Sequence, residues 1–151
     1  LTETAPLAGA IRLPDGCLVR GRGLRHGVPE GPRPDYGLYL GSERLRHRYE
    51  PEMPWSQEWL VWPDFLLPRD FAKAVAGIWT LHEHAHAGQR VEVACGGGVG
   101  RTGTVIACLA VLTGIPVAEA VAWTRATYHR RAVETPWQRR WIARFAAHQP
   151  V

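Results

Sequence analysis

Two kinds of hydrophobic pattern divide this chain. Short apolar runs broken by turn residues occupy its first part, and apolar positions at helical spacing occupy the rest. Residues 10–40 read as short strands separated by turns. LPDG and HGVPEGPRPDYG carry proline, glycine and aspartate turn chemistry, and YGLYL is a strand. Residues 41–56 are polar, with prolines at 51 and 54, and predict a loop or a short helix. EWLVW, Glu58 to Trp62, predicts a second apolar strand that Pro63 ends. From Asp70 the period changes: Phe71, Val75, Ile78, Trp79 and His82 recur at helical spacing, with Asp70 as N-cap and Gly88 as the stop.

RVEVAC then predicts a short strand running directly into a glycine loop. TGTVIACLAVLTG follows as a helix that is apolar nearly all round, and hence buried. Gly114 stops it, and IPVAEAVAWTRATYH starts another helix with Pro116 near its first turn. In ETPWQRRWIARFAAH, Thr135 is placed as N-cap, Pro136 at the first helical position and Gln138 as the partner in a capping box. Trp137, Trp141, Ile142 and Phe145 form its apolar face. This order of elements predicts an α/β fold, a partly parallel central sheet flanked by helices.

Composition adds limits to that picture. A chain of 151 residues, 46% hydrophobic and 21% charged, is expected to form one domain, 1–151, with a substantial core. No apolar run reaches the ~18–20 residues that span a bilayer, and LTETAPLAGAIRLPDG has no basic and apolar regions of a signal peptide. Net charge is +4, from 17 arginines and one lysine scattered along the chain. That suits an anionic partner without the dense basic run expected for nucleic acid. Cys17, Cys95 and Cys108 cannot all pair, and their spacings match no zinc pattern; free thiols in a cytoplasmic setting are expected.

The chemistry concentrates in VACGGGVGRTGT, Val93 to Thr104. On a nucleotide-loop template, G-x-x-x-x-G-K-[ST], CGGGVGRT puts Cys95 at the first glycine and Arg101 at the lysine, and both mismatch. As C-x5-R-[ST] all three fixed positions match: Cys95, Arg101 and Thr102. A strand turning through glycines into a helix aims several N–H groups at one point, where the helix dipole adds positive potential. A cysteine at the base of such a nest is held as thiolate. The planar guanidinium of Arg101 can grip two phosphoryl oxygens at once. A thiolate facing an anion cradle implies phosphoryl transfer to sulfur.

On these residues the chain resembles the cysteine-dependent protein tyrosine phosphatase superfamily, in particular its small bacterial tyrosine and dual-specificity-like members. WPDF, Trp62 to Phe65, is similar to the mobile general-acid loop of that family, with Asp64 lying 31 residues before Cys95. AVETPWQ, Ala132 to Gln138, is similar to the segment that orients hydrolytic water. The resemblance implies that Cys95 attacks phosphorus and that the N–H groups of Gly96, Gly97, Gly98, Val99, Gly100 and Arg101 cradle the phosphoryl oxygens. It implies further that Asp64 serves as acid and then base, and that Thr102 donates to the leaving thiolate. Glu134 falls where many relatives carry a water-positioning glutamine, and Gln138, one turn later, is a second candidate. No metal and no cofactor are required. The expected partner is a phosphorylated protein or a small phosphomonoester, with no nucleic acid and no membrane involved and the oligomeric state left open. Inositol lipids, nucleotides and sugar phosphates are alternative substrates, and capture of phosphorylated partners without turnover is an alternative function.

Several features have blander readings. Asp64 alone suits a turn after Pro63, and Gln138 is accounted for by its capping box. His82 and His86 share one helix face and His84 points elsewhere; no third ligand is evident, so a solvated helix end is expected. Cys108 belongs to the core, and Cys17 follows a turn with no role of its own. Arg46 to Tyr49 and His129 to Arg131 could approach substrate, but solvated surface is the expectation. One departure from the family pattern is Ala94, where most relatives place a histidine that orients the loop.

Overall fold

The computed structural model describes residues 5–148. The first four residues of the N-terminal stretch discussed above lie outside that range. Five strands and five α-helices follow one another along the described chain. They are β1 (Ile11–Arg12), β2 (Leu18–Gly23), β3 (Tyr36–Gly41), α1 (Glu43–Tyr49), β4 (Ser56–Val61) and α2 (Phe71–His86). Then come β5 (Val91–Cys95), α3 (Gly100–Leu112), α4 (Val117–Thr127) and α5 (Pro136–Ala147). The strands form one sheet in the order β1-β2-β5-β3-β4. Only the short β1 is antiparallel; β2–β5, β5–β3 and β3–β4 are parallel. The expectation of a partly parallel sheet with flanking helices holds.

The two faces of the sheet have different chemistry, as the period of two along each strand requires. Leu38, Leu40, Leu60, Val91, Val93 and Cys95 point into the main core, against Ile78 and Leu81 of α2, Ile106 and Leu109 of α3 and Trp141 of α5. Tyr39, Trp59 and Ala94 point the other way, into a smaller cluster with Leu24 and Met53. Beside it lies the fully buried Glu92 of β5. Its Oε1 accepts from Arg20 Nε and Arg22 Nε, both at 2.9 Å, and its Oε2 from Arg22 Nη2 at 3.0 Å and Tyr39 Oη at 2.6 Å. Burial would raise the Glu92 pKa, but these donors outweigh it and hold the carboxyl below its ordinary range. Burial and the Glu92 charge push the Tyr39 phenol upward, so it remains a donor.

Local signals placed the helix ends. Asp70 Oδ1 accepts from Lys73 N at 3.1 Å, and Gly88 follows α2 with φ +87°. Thr135 and Gln138 complete the capping box on α5, with Pro136 at its first position. Residues 43–49 resolve the loop-or-helix alternative as a helix capped by Ser42. Pro116 sits at the N-cap of α4, next to its first turn as expected. No helix among the described residues is long and apolar enough to cross a membrane.

Candidate active site

Parallel strands bring their C-terminal ends to one edge of the sheet, which is where α/β folds gather their functional loops. There β5 ends at Cys95, between Gly23 of β2 and the end of β3. The next residues turn through Gly98, at φ +76°, into α3. A Cβ at Gly98 would lie 2.5 Å from the backbone nitrogen of Gly23, so close packing as well as backbone conformation requires glycine. Val99, at the N-cap, provides no side-chain acceptor for the first turn of α3. The N–H groups at that helix end therefore have no side-chain acceptor at the N-cap position itself. Cys95 is buried, and its Sγ accepts from Gly98 N at 3.2 Å and Thr102 Oγ1 at 3.1 Å. Both donors stabilise negative charge on sulfur. Gly98, one of the six residues expected to bind phosphate, directs its N–H at the sulfur.

Arg101 projects from the first turn of α3 and is buried. Its Nη1 donates to Trp62 O at 2.9 Å and more distantly to Leu40 O at 3.4 Å. These carbonyls at the ends of β4 and β3 fix the guanidinium plane. Its Nε has no partner, and its Nη2 lies 3.4 Å from Asp64 Oδ1. Asp64 and Arg101, 37 positions apart, are therefore brought together. Asp64 is 48% exposed, and its Oδ1 also accepts from Phe65 N at 3.0 Å. Phe65 has φ +62°, and its carbonyl accepts from Trp137 Nε1. Trp62 Nε1 donates to Leu66 O at 2.9 Å, which ties the far side of the loop to the core.

Glu134 lies against the start of α3: its carboxylate is placed to accept from the Gly100 N–H, and its Oε1 fills the space that a Cβ at Gly100 would need. Partial burial and the charge of Asp64 raise the Glu134 pKa, while Arg101 and His129 oppose that shift. Gln138 is fully buried, and its Oε1 accepts from Glu134 N at 2.9 Å and Thr135 N at 3.3 Å. Its carbonyl is committed to the capping box, while its Nε2 has no partner. The structure thus sets Glu134 against the first turn of α3 and Gln138 behind it.

Three features of the site were not legible in the sequence. Tyr128, at the end of α4, donates its phenol to the Gly98 carbonyl and so holds the glycine turn. Burial and the nearby Cys95 push that phenol upward, so it stays protonated. Room for its ring comes from Gly21, where a Cβ would lie 2.5 Å from it. Arg25 donates its backbone N–H to Gly96 O at 3.1 Å, and its guanidinium would meet a Cβ at Gly96 at 3.0 Å. Neither residue belongs to a local motif; both arrive through tertiary contact. The third is the setting of Ala94. It is fully buried on the second face of the sheet, beside its register partner Tyr39, in a cluster that includes Trp59, whose ring lies 5.2 Å from that of Tyr39. Tyr128 and Arg25 anchor the loop.

The remaining expectations divide. Cys108 is fully buried and burial pushes its thiol up. Arg46 pairs with Glu50 on an exposed helix face. His129 accepts from Arg131 N at 3.0 Å and is close enough to Glu134 to affect its charge. His82 and His86 do share one face, and the end of α2 from His86 onward is exposed, as expected; Asp15 and Cys17 of the turn before β2 lie against the two histidines.

Comparison with known proteins agrees with this geometry. Solved structures with the same fold include Tk-PTP in its active form, with TM-score 0.71 and 19% identity over 94% of this chain and 99% of that one. Kinase associated phosphatase with serine for its catalytic-site cysteine gives 0.68 and 16% over 97% and 100%. PTPMT1 in complex with PI(5)P gives 0.61 and 18% over 74% and 76%. No curated protein sequence matches. The family model described as PTP-SAK, the Swiss Army Knife protein DSP-PTPase phosphatase domain, matches residues 71–148, just over half the chain. The chain belongs to this dual-specificity branch of the tyrosine-phosphatase-like phosphoric monoester hydrolases.

Proposed function

We propose that this phosphatase hydrolyses phosphotyrosine, and phosphoserine or phosphothreonine as well, through a phosphocysteine on Cys95. The observation that carries the reading is the convergence of three side chains: Cys95 under two donors, Arg101 held by the Trp62 and Leu40 carbonyls, and Asp64 at 3.4 Å from Arg101. In the first step the Cys95 thiolate attacks phosphorus, and the bond to the leaving oxygen breaks as Asp64 gives that oxygen a proton. Free N–H groups of the loop and Arg101 stabilise the equatorial oxygens, with the unpartnered Nε as one donor. In the second step Asp64 takes a proton from water, the hydroxide oxygen bonds to phosphorus, and the sulfur–phosphorus bond breaks. Thr102 Oγ1, already 3.1 Å from Sγ, stabilises the departing thiolate. Glu134 orients the attacking water from its place at the start of α3, with Gln138 fixing the backbone beneath it.

Protein substrates are favoured by the rim. Phe65, Leu66 and Trp137 are large apolar residues exposed beside Asp64, a surface suited to an aryl ring or a peptide side chain. A second reading, a phosphoinositide substrate, draws on Arg25 at the rim and on the relative solved with PI(5)P. Turnover of a phosphopeptide set against soluble phosphoinositides separates the two. The mechanism is tested with an aryl phosphate: wild type should release phosphate and, after acid quench, carry one phosphoryl group on Cys95 by mass. Full turnover by Cys95→Ser would refute it.

A further inference from the structure

At the end of the sheet opposite Cys95, the turn before β2 meets the last turns of α2. Asp15 and Cys17 come from the turn, and His82 and His86 from one face of the helix. A ligand atom from each of the four lies within 4.8 Å of every other. We propose that these residues form a binding site for a divalent transition metal, with zinc as the ion their donor set suits. The site is independent of the phosphatase reading.

Four observations carry this assignment. First, the distances fit. Cys17 Sγ lies 3.9 Å from His86 Nδ1 and 3.4 Å from Asp15 Oδ2, and His82 Nε2 lies 2.7 Å from Asp15 Oδ2. A tetrahedral ion with ordinary zinc–sulfur, zinc–nitrogen and zinc–oxygen bonds separates its donors by about 3.3–3.6 Å. The observed spacings bracket that range, so small side-chain rotations complete the sphere. Second, one sulfur and two imidazoles select zinc and its neighbours over magnesium or calcium, which take oxygen. Third, the donors are already oriented. Cys17 N donates to Asp15 Oδ1 at 3.0 Å, holding the turn, and the two histidine rings, one helical turn apart, have centroids 5.9 Å apart. Fourth, Cys17 and His86 border a surface cavity of ~420 Å³, which gives an ion a path in.

Binding would form four metal–ligand bonds, release the Cys17 thiol proton to solvent, and replace the Asp15–His82 hydrogen bond. With four protein ligands the site is closed, hence structural rather than catalytic. It would clip the β1–β2 hairpin to α2, two elements more than sixty residues apart in the chain. Cys17 precedes β2 and Gly23 at its far end pairs with Cys95, so about 20 Å of strand at ~3.3 Å per residue separates metal and nucleophile.

Cobalt titration of the full chain in a Cys95→Ser background tests the proposal, since that background removes the thiol of the glycine loop. One equivalent should bind, with tetrahedral visible bands and a thiolate-to-cobalt charge-transfer band, and zinc should displace it. Adding Cys17→Ser should abolish the charge-transfer band. His86→Ala, an exposed position, should weaken zinc by at least the ~10–100-fold that loss of a mere supporting partner costs. Zinc should raise the melting temperature of the parent more than that of either variant at the same concentration, with circular dichroism of the metal-free proteins checking their folding. Phosphatase turnover should survive Cys17→Ser in the wild-type background. Absence of stoichiometric binding would leave an Asp15–His82 ion pair only, and overturn the proposal. So would a charge-transfer band that persists without Cys17.

Discussion

Asp64→Asn separates proton donation from everything else that Asp64 does. The amide keeps an oxygen for Phe65 N, so the positive-φ turn at Phe65 retains its bond. Arg101 keeps its acceptors at Trp62 O and Leu40 O, so its position does not depend on the carboxylate. What is lost at the 3.4 Å contact with Arg101 is the carboxylate charge, and because the Asp64 side chain is 48% exposed that charge is worth only about 0–1 kcal/mol. The melting temperature should therefore shift by no more than a few degrees. The kinetic effect should be much larger. A positioned acid contributes about 10²–10⁴-fold, or roughly 2.7–5.4 kcal/mol of barrier. That loss applies only where the leaving oxygen needs a proton. We expect kcat/KM for phenyl phosphate to fall by ~10²–10⁴-fold, while kcat/KM for 2,4-dinitrophenyl phosphate changes by less than about tenfold. A stopped-flow series of aryl phosphates across leaving-group acidity measures both ends. Equal losses at both ends, or no loss with phenyl phosphate in a folded variant, would refute the assignment of Asp64 as the acid.

Tyr128→Phe leaves the Gly98 carbonyl without its donor, at about 1 kcal/mol of stability, and should raise KM and the inhibition constant for phosphate several-fold. Unchanged values for both would show that the loop does not depend on Tyr128. Glu134→Gln removes a negative charge beside the cradle worth about 1 kcal/mol, so vanadate should inhibit roughly fivefold more tightly. Weaker inhibition would place the carboxylate away from the bound oxyanion. Glu92→Gln leaves two buried arginines without their counter-charge and should cost about 3–5 kcal/mol in chemical denaturation. Because the folded Glu92 pKa lies below its unfolded value, its contribution is full above about pH 4.5. It is lost as the pH falls through the lower folded value. Wild type should therefore lose stability steadily below about pH 4.5, and the variant should lose less over the same range, as acid-unfolding curves can measure.

Much of this molecule was readable from local pattern. The ends of α2 and α5 were, because Asp70, Gly88, Thr135 and Gln138 act within one turn of themselves. The loop from Cys95 to Thr102 was as well, since its donors lie close together in the chain and spacing alone brings them to one point. Asp64 could be nominated only by resemblance, because its partner is 37 residues away and no local rule measures that distance. Gln138 looked equally suited to capping and to water, and the fold weighted the first by burying its carbonyl under Glu134 and Thr135.

What the sequence determined by itself was chemistry that depends on neighbours: which segments form strands or helices, where helices stop, and which cysteine sits at the glycine turn into a helix. The tertiary structure decided what depends on strand order and on the second face of the sheet. Placing β5 between β2 and β3 brought Gly23 and Arg25 against the glycine loop and packed Tyr39 over Ala94. The run of α4 delivered Tyr128 to Gly98. The return of α2 set His82 and His86 against Asp15 and Cys17. Each of these pairings depends on contact between segments remote in the chain, and periodicity records only which face of an element is apolar, not what will be packed against it.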